Sequence, residues 1–364
     1  MLISPKSKET IDACRFCWMC RHVCPIGNVT GQERNNARGR ALSLSLVLRE
    51  SATLEDAIDN VYECAMCGAC TKECVTGWDP LQFTREVRRE AALTGKTPDY
   101  ILRLMDNIEA SGNAYGVDCI REDVAAAIGA LPRQSDTLLF LGRDSLYKSP
   151  ASALSAIRLL QSAKLDFTVL EHEPGSGTDL DFLLGDVEET RQAMLRCAEA
   201  LSGFSRVIVY DPADAKVFLR TCKEWNLPLR PEIRTYTSLI AELVRTGELK
   251  PKRGEGSFTF QDPAVLVRDL EEHHPAREIL EACGRVKELQ LSGKDVMWAG
   301  NLLMHEYMPD VIVQVAAERW RNAVLEGVET LVTASPGEYE ALLMAKPEGI
   351  GLMRLEDVVL EAFR

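Results

Sequence analysis

A pair of cysteine runs near the N-terminus limits what this chain can fold into more than any other feature. The first reads C-x2-C-x2-C-x3-C-P at Cys14, Cys17, Cys20, Cys24 and Pro25. The second reads C-x2-C-x2-C-x3-C at Cys64, Cys67, Cys70 and Cys74. Three thiolates on one short loop, with a fourth after an x3 gap, wrap one face of a cuboidal iron–sulfur cluster. Structural zinc sites show pairs of C-x2–4-C instead of triplets followed by a fourth cysteine. A disulfide framework needs an oxidising compartment. The N-terminus, MLISPKSKET, has no apolar segment of the kind an export signal carries.

Where two such clusters share a domain, the fourth cysteine of each run ligates the other cluster. The expected sets are Cys14, Cys17, Cys20 and Cys74 for one [4Fe–4S] cluster, and Cys64, Cys67, Cys70 and Cys24 for the second. Such a crossing staples the two runs together and makes the fold of the region depend on its metal.

The 364 residues suffice for two or three domains. No apolar run approaches the ~18 residues of a membrane span, so a soluble, cytoplasmic protein is expected. With 42 basic and 55 acidic residues the formal charge is −13, which argues against nucleic acid as a partner. Residues 1–100 carry 13 basic and 13 acidic side chains, so the whole acidic excess lies beyond them. Arg15, Arg21 and Lys72 fall inside the cysteine loops, where cations balance thiolate and cluster charge or raise a reduction potential.

Between the runs, Arg38–Leu48 has a helical composition, while Leu42, Leu44, Leu46 and Leu48 alternate like a strand; both readings stand. Thr53 and Asp56 resemble a capping box, and Leu54, Ala57, Ile58, Val61 and Tyr62 keep helical spacing into Cys64. Asp79 and Pro80 suit the start of a helix that runs to about Leu93 and stops at Gly95. Residues 1–96 therefore read as a helical, ferredoxin-like domain, and 97–133 as a helical connector.

Strands then alternate with helices, which implies parallel sheets covered by helices. Strands are expected at Thr137–Leu141, Phe167–Leu170 and Val207–Tyr210, with helices near Ala151–Ala163, Glu188–Leu201 and Leu239–Thr246. The same order recurs with strands at Phe258–Phe260, Val286–Gln290 and Thr330–Thr333. Its helices are expected at Ala276–Cys283, Asp310–Glu326 and Tyr339–Met344. RVIVYDPADAKVF (206–218) lines up with ETLVTASPGEYEALL (329–343), Pro212 on Pro336. Residues 134–250 and 251–364 thus read as two copies of one α/β unit, packed as a pseudo-symmetric pair.

Two ferredoxin-type runs followed by two α/β repeats resemble the iron–sulfur subunits of glycolate oxidase and the heterodisulfide-reductase-like proteins. Each repeat of that family carries a cysteine near its first strand, a C-C-G and a later C-P-x-C. Here Gly142-Arg143 stands for Gly-Cys, and Asp211-Pro212-Ala213-Asp214 for the first C-P-x-C. In the second repeat Asp262-Pro263-Ala264 stands for D-P-C, Met297-Trp298-Ala299-Gly300 for the C-C-G region, and Ser335-Pro336-Gly337-Glu338 for C-P-x-C. The resemblance therefore carries over the two [4Fe–4S] clusters and not the C-C-G clusters. It implies an electron-transfer subunit of a multi-subunit oxidoreductase, relaying electrons between an FAD-containing flavoprotein dehydrogenase subunit and a further redox partner. The alternatives are a catalytic subunit acting on a disulfide or a hydroxyacid, and an iron–sulfur redox sensor.

Cys119, Cys197, Cys222 and Cys283 read as small buried hydrophobes. His22, inside the first run, is a cluster-tuning or surface residue. His273 and His274 read as a solvated helix start. Asp211, Asp214, Ser335 and Glu338 would form a polar pocket at the strand ends, where α/β proteins bind ligands. No residue is assigned a catalytic role.

Overall fold

A computed structural model describes residues 3–14 and 17–363. The first 129 residues are helical where they are regular, and the remainder alternates strands with helices. The architecture is α + α/β, as the sequence implies. Seven short strands are defined: β1 Thr137–Phe140, β2 Arg206–Val209, β3 Glu232–Thr235, β4 Ser257–Gln261, β5 Arg285–Val286, β6 Thr330–Thr333 and β7 Gly351–Arg354. All pair in parallel, in two sheets ordered β1-β2-β3 and β5-β4-β6-β7. Thr168 bridges Leu138 on the free side of β1, the place that β5 holds beside β4. The two sheets are thus copies of one order.

Several elements differ from the expectations. Phe167–Leu170 makes only that bridge. After it, the Glu173 carboxylate accepts hydrogen bonds from the Leu141 and Gly142 amides (2.7 and 2.8 Å), where a strand carbonyl would otherwise sit. Of the strand expected over Val286–Gln290 only Val286 is in β5, and the Gln290 amide turns to the Glu326 carboxylate. β3 and β7 read EIRT and GLMR, too short and too polar to give an apolar signal. The Thr53–Asp56 box forms, with Thr53 N and Oγ1 each donating to Asp56 at 2.8 Å, but it closes a turn and the helix begins at Ile58. Ala37–Leu48 is a helix capped by Asn36; Leu42 and Leu46 face solvent and Leu44 is buried.

The two repeats share one apolar core. Leu139, Ile208 and Ile240 of the first pack in a single cluster with Phe260, Ile279, Val332 and Val359 of the second. Across this seam Ser155 donates to Asp357 (2.6 Å), Arg354 donates to Ser152 (2.8 Å), and the Tyr210 hydroxyl donates to Glu356. The helical region is built into the same body. Tyr62, Phe83 and Val87 pack with Leu180, Leu183 and Leu303, and Ile26 packs with Val267, Trp298 and Met304.

Arg88 holds this junction. Its side chain leaves the helix Pro80–Leu93 and is 1% exposed. It donates to the carbonyls of Phe182 (2.6 Å), Val61 (3.0 Å) and Cys64 (2.8 Å), with the Tyr62 and Phe182 rings against its guanidinium. Replacing it by methionine keeps most of the volume but strands three buried carbonyls, each worth about 1–3 kcal/mol. Arg88→Met should therefore cost about 3 kcal/mol or more, seen as a lower unfolding midpoint with loss of bound iron.

Glu356 gives a pH signature. Burial pushes its carboxyl up to about 7, helped by the charge of Asp357 and opposed by the Tyr210 hydrogen bond. Its proton is kept in the fold and lost from the unfolded chain between about pH 4.5 and 7. The fold therefore gains from this group at low pH and loses that gain as pH rises through 7. Glu356→Gln still accepts from Tyr210 and does not titrate. Its stability relative to the parent should rise from pH 5 to pH 8, by roughly 2–3 kcal/mol. A pH series of denaturation curves checks this.

Candidate iron–sulfur site

Each cysteine run forms a loop that turns into a short helix. Cys17 is followed by Trp18 at φ 71°, ahead of the helix Met19–His22. Cys67 is followed by Gly68 at φ 77°, ahead of the helix Ala69–Glu73. The left-handed residue after the second cysteine swings the chain around so that the third cysteine faces back to the first two. Trp18 holds this conformation without glycine's freedom; Arg21 and Arg38 lie over its ring, 5.2 and 4.1 Å from the centroid. The two helices pack against each other, which brings the runs together.

Cys24, Cys64, Cys67 and Cys70 line one cavity, with Arg40 in its wall. The fourth residue of the first run thus stands among the first three of the second. Cys24 Sγ accepts from the Gly27 amide (3.4 Å) and donates to the Asn35 carbonyl (3.3 Å); Cys64 Sγ accepts from the Met66 amide (3.4 Å). Burial pushes the Cys24 thiol up to about 12, against the Gly27 amide and the Arg40 guanidinium. Burial also raises Cys67, and it raises Cys70, where the charges of Cys64, Cys67 and Cys24 add to it. The Cys24, Cys67 and Cys70 thiols, so raised, become thiolates when metal replaces their protons. Among the described residues no three His, Cys, Asp or Glu side chains converge as the ligands of one ion would. A ring of thiols around a cavity instead suits a cuboidal cluster, in which each thiolate meets its own iron.

In the first run, burial raises the Cys20 thiol, and the neighbouring charges of Cys14 and Cys17 raise it further. Cys17 is exposed. Cys74 packs on the same apolar cluster as Cys14 and Cys20, and its sulfur lies 3.2 Å from the Thr76 hydroxyl. Burial pushes that thiol up, but hydrogen bonds from Thr76 and Trp78 outweigh it and hold it below the usual value.

The cations differ from those the sequence suggested. Arg21 is over Trp18, Lys72 pairs with Asp295, and Arg15 lies outside the described residues. His22 is exposed, 3.9 Å from Glu73. The guanidiniums at the second set are Arg40 and Arg268. Arg40 is buried and donates to the carbonyls of Asn60 (3.0 Å) and Asn35 (3.1 Å). Arg268 comes from the second repeat and donates to the carbonyls of Cys67 (2.8 Å), Lys294 (3.0 Å) and Val296. A side chain at Gly68 would begin 3.5 Å from its Cδ. No local pattern marks Arg268, because its partner is about 200 residues away.

Cys67 also borders a cleft of about 620 Å³ at the C-terminal ends of both sheets. Asp211, Asp214, Ser335 and Glu338 all line it, together with Arg143, which stands for the cysteine of Gly-Cys, and Asp144, which no sequence pattern marks. Asp144, Val217 and Val265 each open a π-helical turn soon after β1, β2 or β4, a deformation common at functional sites. Asp211 caps the helix that follows by accepting from Ala213 N (2.9 Å), and Ser335 does so from Glu338 N (3.4 Å). Burial pushes Asp211 and Asp144 up, and each is raised further by acidic neighbours, Asp214 for the one and Asp211 for the other. Asp214 is raised in the same way, while its carboxylate accepts from Ser176. Glu338 is pushed up to about 8 by burial. Cys197, Cys222 and Cys283 are core residues, whereas Cys119 is exposed.

Comparison with known proteins agrees with this geometry. The 4Fe-4S dicluster domain family matches residues 10–78. The chain is 23% identical to a subunit of the dihydromethanophenazine:CoB–CoM heterodisulfide reductase of Methanosarcina acetivorans, over 96% of this chain and 92% of that one. It is 27% identical to a probable membrane-anchored ferredoxin of Chromohalobacter salexigens, over 78% of this chain and 48% of the relative. It is 23% identical to the EtfAB:quinone oxidoreductase of Syntrophomonas wolfei, over 75% and 45%. The chain thus spans about half the length of several curated relatives it matches. A crystal structure of a hypothetical protein from Helicobacter pylori shares the fold, with a TM-score of 0.59 at 12% identity, over 99% of this chain and 73% of that one. These matches support the resemblance to the heterodisulfide-reductase-like iron–sulfur proteins. No helix among the described residues is long and apolar enough to cross a membrane.

Arg268 generates a prediction. A full positive charge on the Cys67 loop favours the reduced, more negative state of a cluster held there. Arg268→Gln should lower one midpoint potential by on the order of 50–100 mV and leave the other in place. Arg268→Lys should recover part of the shift. Redox titration followed by electron paramagnetic resonance reads both potentials.

Proposed function

We propose that the chain is an iron–sulfur electron-transfer subunit carrying two [4Fe–4S] clusters. One would be held by Cys14, Cys17, Cys20 and Cys74, the other by Cys64, Cys67, Cys70 and Cys24. The clusters would supply one-electron steps, and the chain would relay electrons between a flavoprotein dehydrogenase subunit and a second redox partner. The observation that carries this reading is the meeting of Cys24 with Cys64, Cys67 and Cys70 around one cavity. It supports an exchange of fourth ligands like that of two-cluster ferredoxins. The relatives named for heterodisulfide reduction and for quinone reduction support a place in a redox assembly.

The two sets differ in what they face. The second is enclosed between the helical region and the α/β half. Around the first, Cys17 is exposed, and Trp18 (46% exposed) and Val75 (83% exposed) present apolar surface. The flavoprotein would dock on this edge, where it could come closest to the first cluster. Eight thiols kept for metal suit a reducing compartment such as the cytoplasm.

Anaerobic reconstitution tests the reading. Iron and acid-labile sulfide should come to about eight each per chain. Cys24→Ser should perturb the resonance of the cluster at Cys64, Cys67 and Cys70, and should lower soluble yield because the staple between the runs is lost. Stoichiometric zinc, or a loss confined to the cluster of Cys14, Cys17 and Cys20, would overturn the assignment.

A further inference from the structure

We infer that the cleft at the C-terminal ends of the two sheets is a binding site for a small, neutral, quinone-type carbonyl compound. This rests on the relay reading and identifies the second redox partner in it. The cleft's volume, about 620 Å³, is in the range of small-molecule sites. Its walls include the Ala65–Cys67 loop of the second cysteine run, the Asp211–Asp214 turn of the first repeat, and residues of the Ser335–Glu338 turn of the second. A ligand there lies beside the second cysteine set and touches both repeats.

The wall chemistry selects the ligand. Burial raises the carboxyls of Asp144, Asp211, Asp214 and Glu338, Asp211 and Glu338 to about 8, and so favours their neutral form. A neutral carboxyl is an O–H donor, so the two repeats offer donors from opposite turns. Arg143, in the same wall, has a buried Nε–H without a hydrogen-bond partner, which also calls for an acceptor. Of the wall's other cations, Arg85 pairs with Asp181, Lys216 with Asp269 and Arg220 with Glu224, while Lys6 and Arg89 complete the lining. Three of these cations are thus engaged by acids, and a neutral acceptor needs none of them. Trp298, Phe182, Pro212 and Pro263 add flat apolar surface, on which a polyol would lose its hydration without return. A flat neutral ring with a carbonyl at each end satisfies both the donors and the apolar walls.

The chemistry balances. A quinone becomes a quinol by taking up two electrons and two protons, each C=O becoming C–OH. The carboxyls hold protons at the site and recover them from solvent through the open cleft. The electrons come from the flavoprotein donor of the relay.

The test is calorimetric titration of the oxidised, reconstituted holoprotein with duroquinone, whose ring has no free position for a thiol to attack. Succinate serves as the anionic probe and glucose as the polyol. Saturable one-to-one binding of duroquinone alone is expected, weakened at least tenfold in the Asp211→Ala/Asp214→Ala variant at unchanged iron content. Equal binding to parent and variant, no binding to the parent, or tighter binding of succinate or glucose would overturn the inference. Should the variant not fold, photolabelling of the parent with an azidoquinone decides. Label in the Asp211–Val217 or Ser335–Glu338 segment supports the site, and label only elsewhere removes it. No electron donor is present in these measurements, so their failure leaves the relay standing. Conversely, a chain that binds duroquinone but carries no clusters would sink the relay and keep the cleft.

Discussion

Arg88 reaches three backbone carbonyls that belong to separate parts of the chain. Val61 and Cys64 lead into the second cysteine loop, and Phe182 lies on a helix of the first repeat. A guanidinium that water does not reach costs several kcal/mol to desolvate, and here its donors and ring contacts must offset that. They do so only when the helical region and the first repeat are docked. The same side chain therefore fixes the distance between the second cysteine set and the strand ends. Tyr62, whose ring packs against Arg88, extends the junction: its hydroxyl donates to the Leu183 carbonyl (2.9 Å), and its own carbonyl accepts from Tyr307 (2.9 Å). This polar knot sets the distance between the second cysteine loop and the strand ends.

Charge in this protein is arranged in opposition to its total. The chain is strongly acidic, yet the second cysteine set is flanked by Arg40 and Arg268. Thiolates and a reduced cluster are negative, so cations there favour the reduced state. At the strand ends the arrangement is reversed. Several buried acids share this space, and their mutual repulsion adds to the cost of burial, so their carboxyls are pushed up. One end of the cleft is thus rich in cations and the other in raised acids, with Cys67 and Asp214 lining the same space.

Much of this was legible in the sequence, for physical reasons that can be named. The cysteine spacing is a local code, since a loop of fixed length must present three thiolates to one body. The long amphipathic helices, such as Glu188–Leu201, keep their period over several turns. The strands that were found are the buried ones with apolar runs; β3 and β7 lie at sheet edges and carry charged residues, so their signal is weak. Alternating leucines in Ala37–Leu48 mimicked a strand because a helix can leave Leu42 and Leu46 in solvent at small cost. The four polar residues of the strand-end turns were found because the repeat aligns them. Arg88, Arg268 and Asp144 were not, because their roles depend on partners brought close only by the tertiary fold.

The turns at the strand ends, which stand where the resembled family has C-P-x-C, are held by helix caps. Asp211 and Ser335 occupy equivalent places in the two repeats, each just before a proline that opens a helix. Each side chain accepts from a backbone amide in the first turn, as an N-cap must. Cysteine is a poor cap, its sulfur being a weak acceptor. Aspartate and serine therefore bind the helix start themselves, at the point where thiolate ligands would tie the turn to metal. Asp214 and Glu338 then reach inward from the same turns, tied by Ser176 and Gln261. The strand–turn–helix geometry that a metal could hold is held here by hydrogen bonds, and the space at the strand ends stays open, lined by acids in place of sulfur.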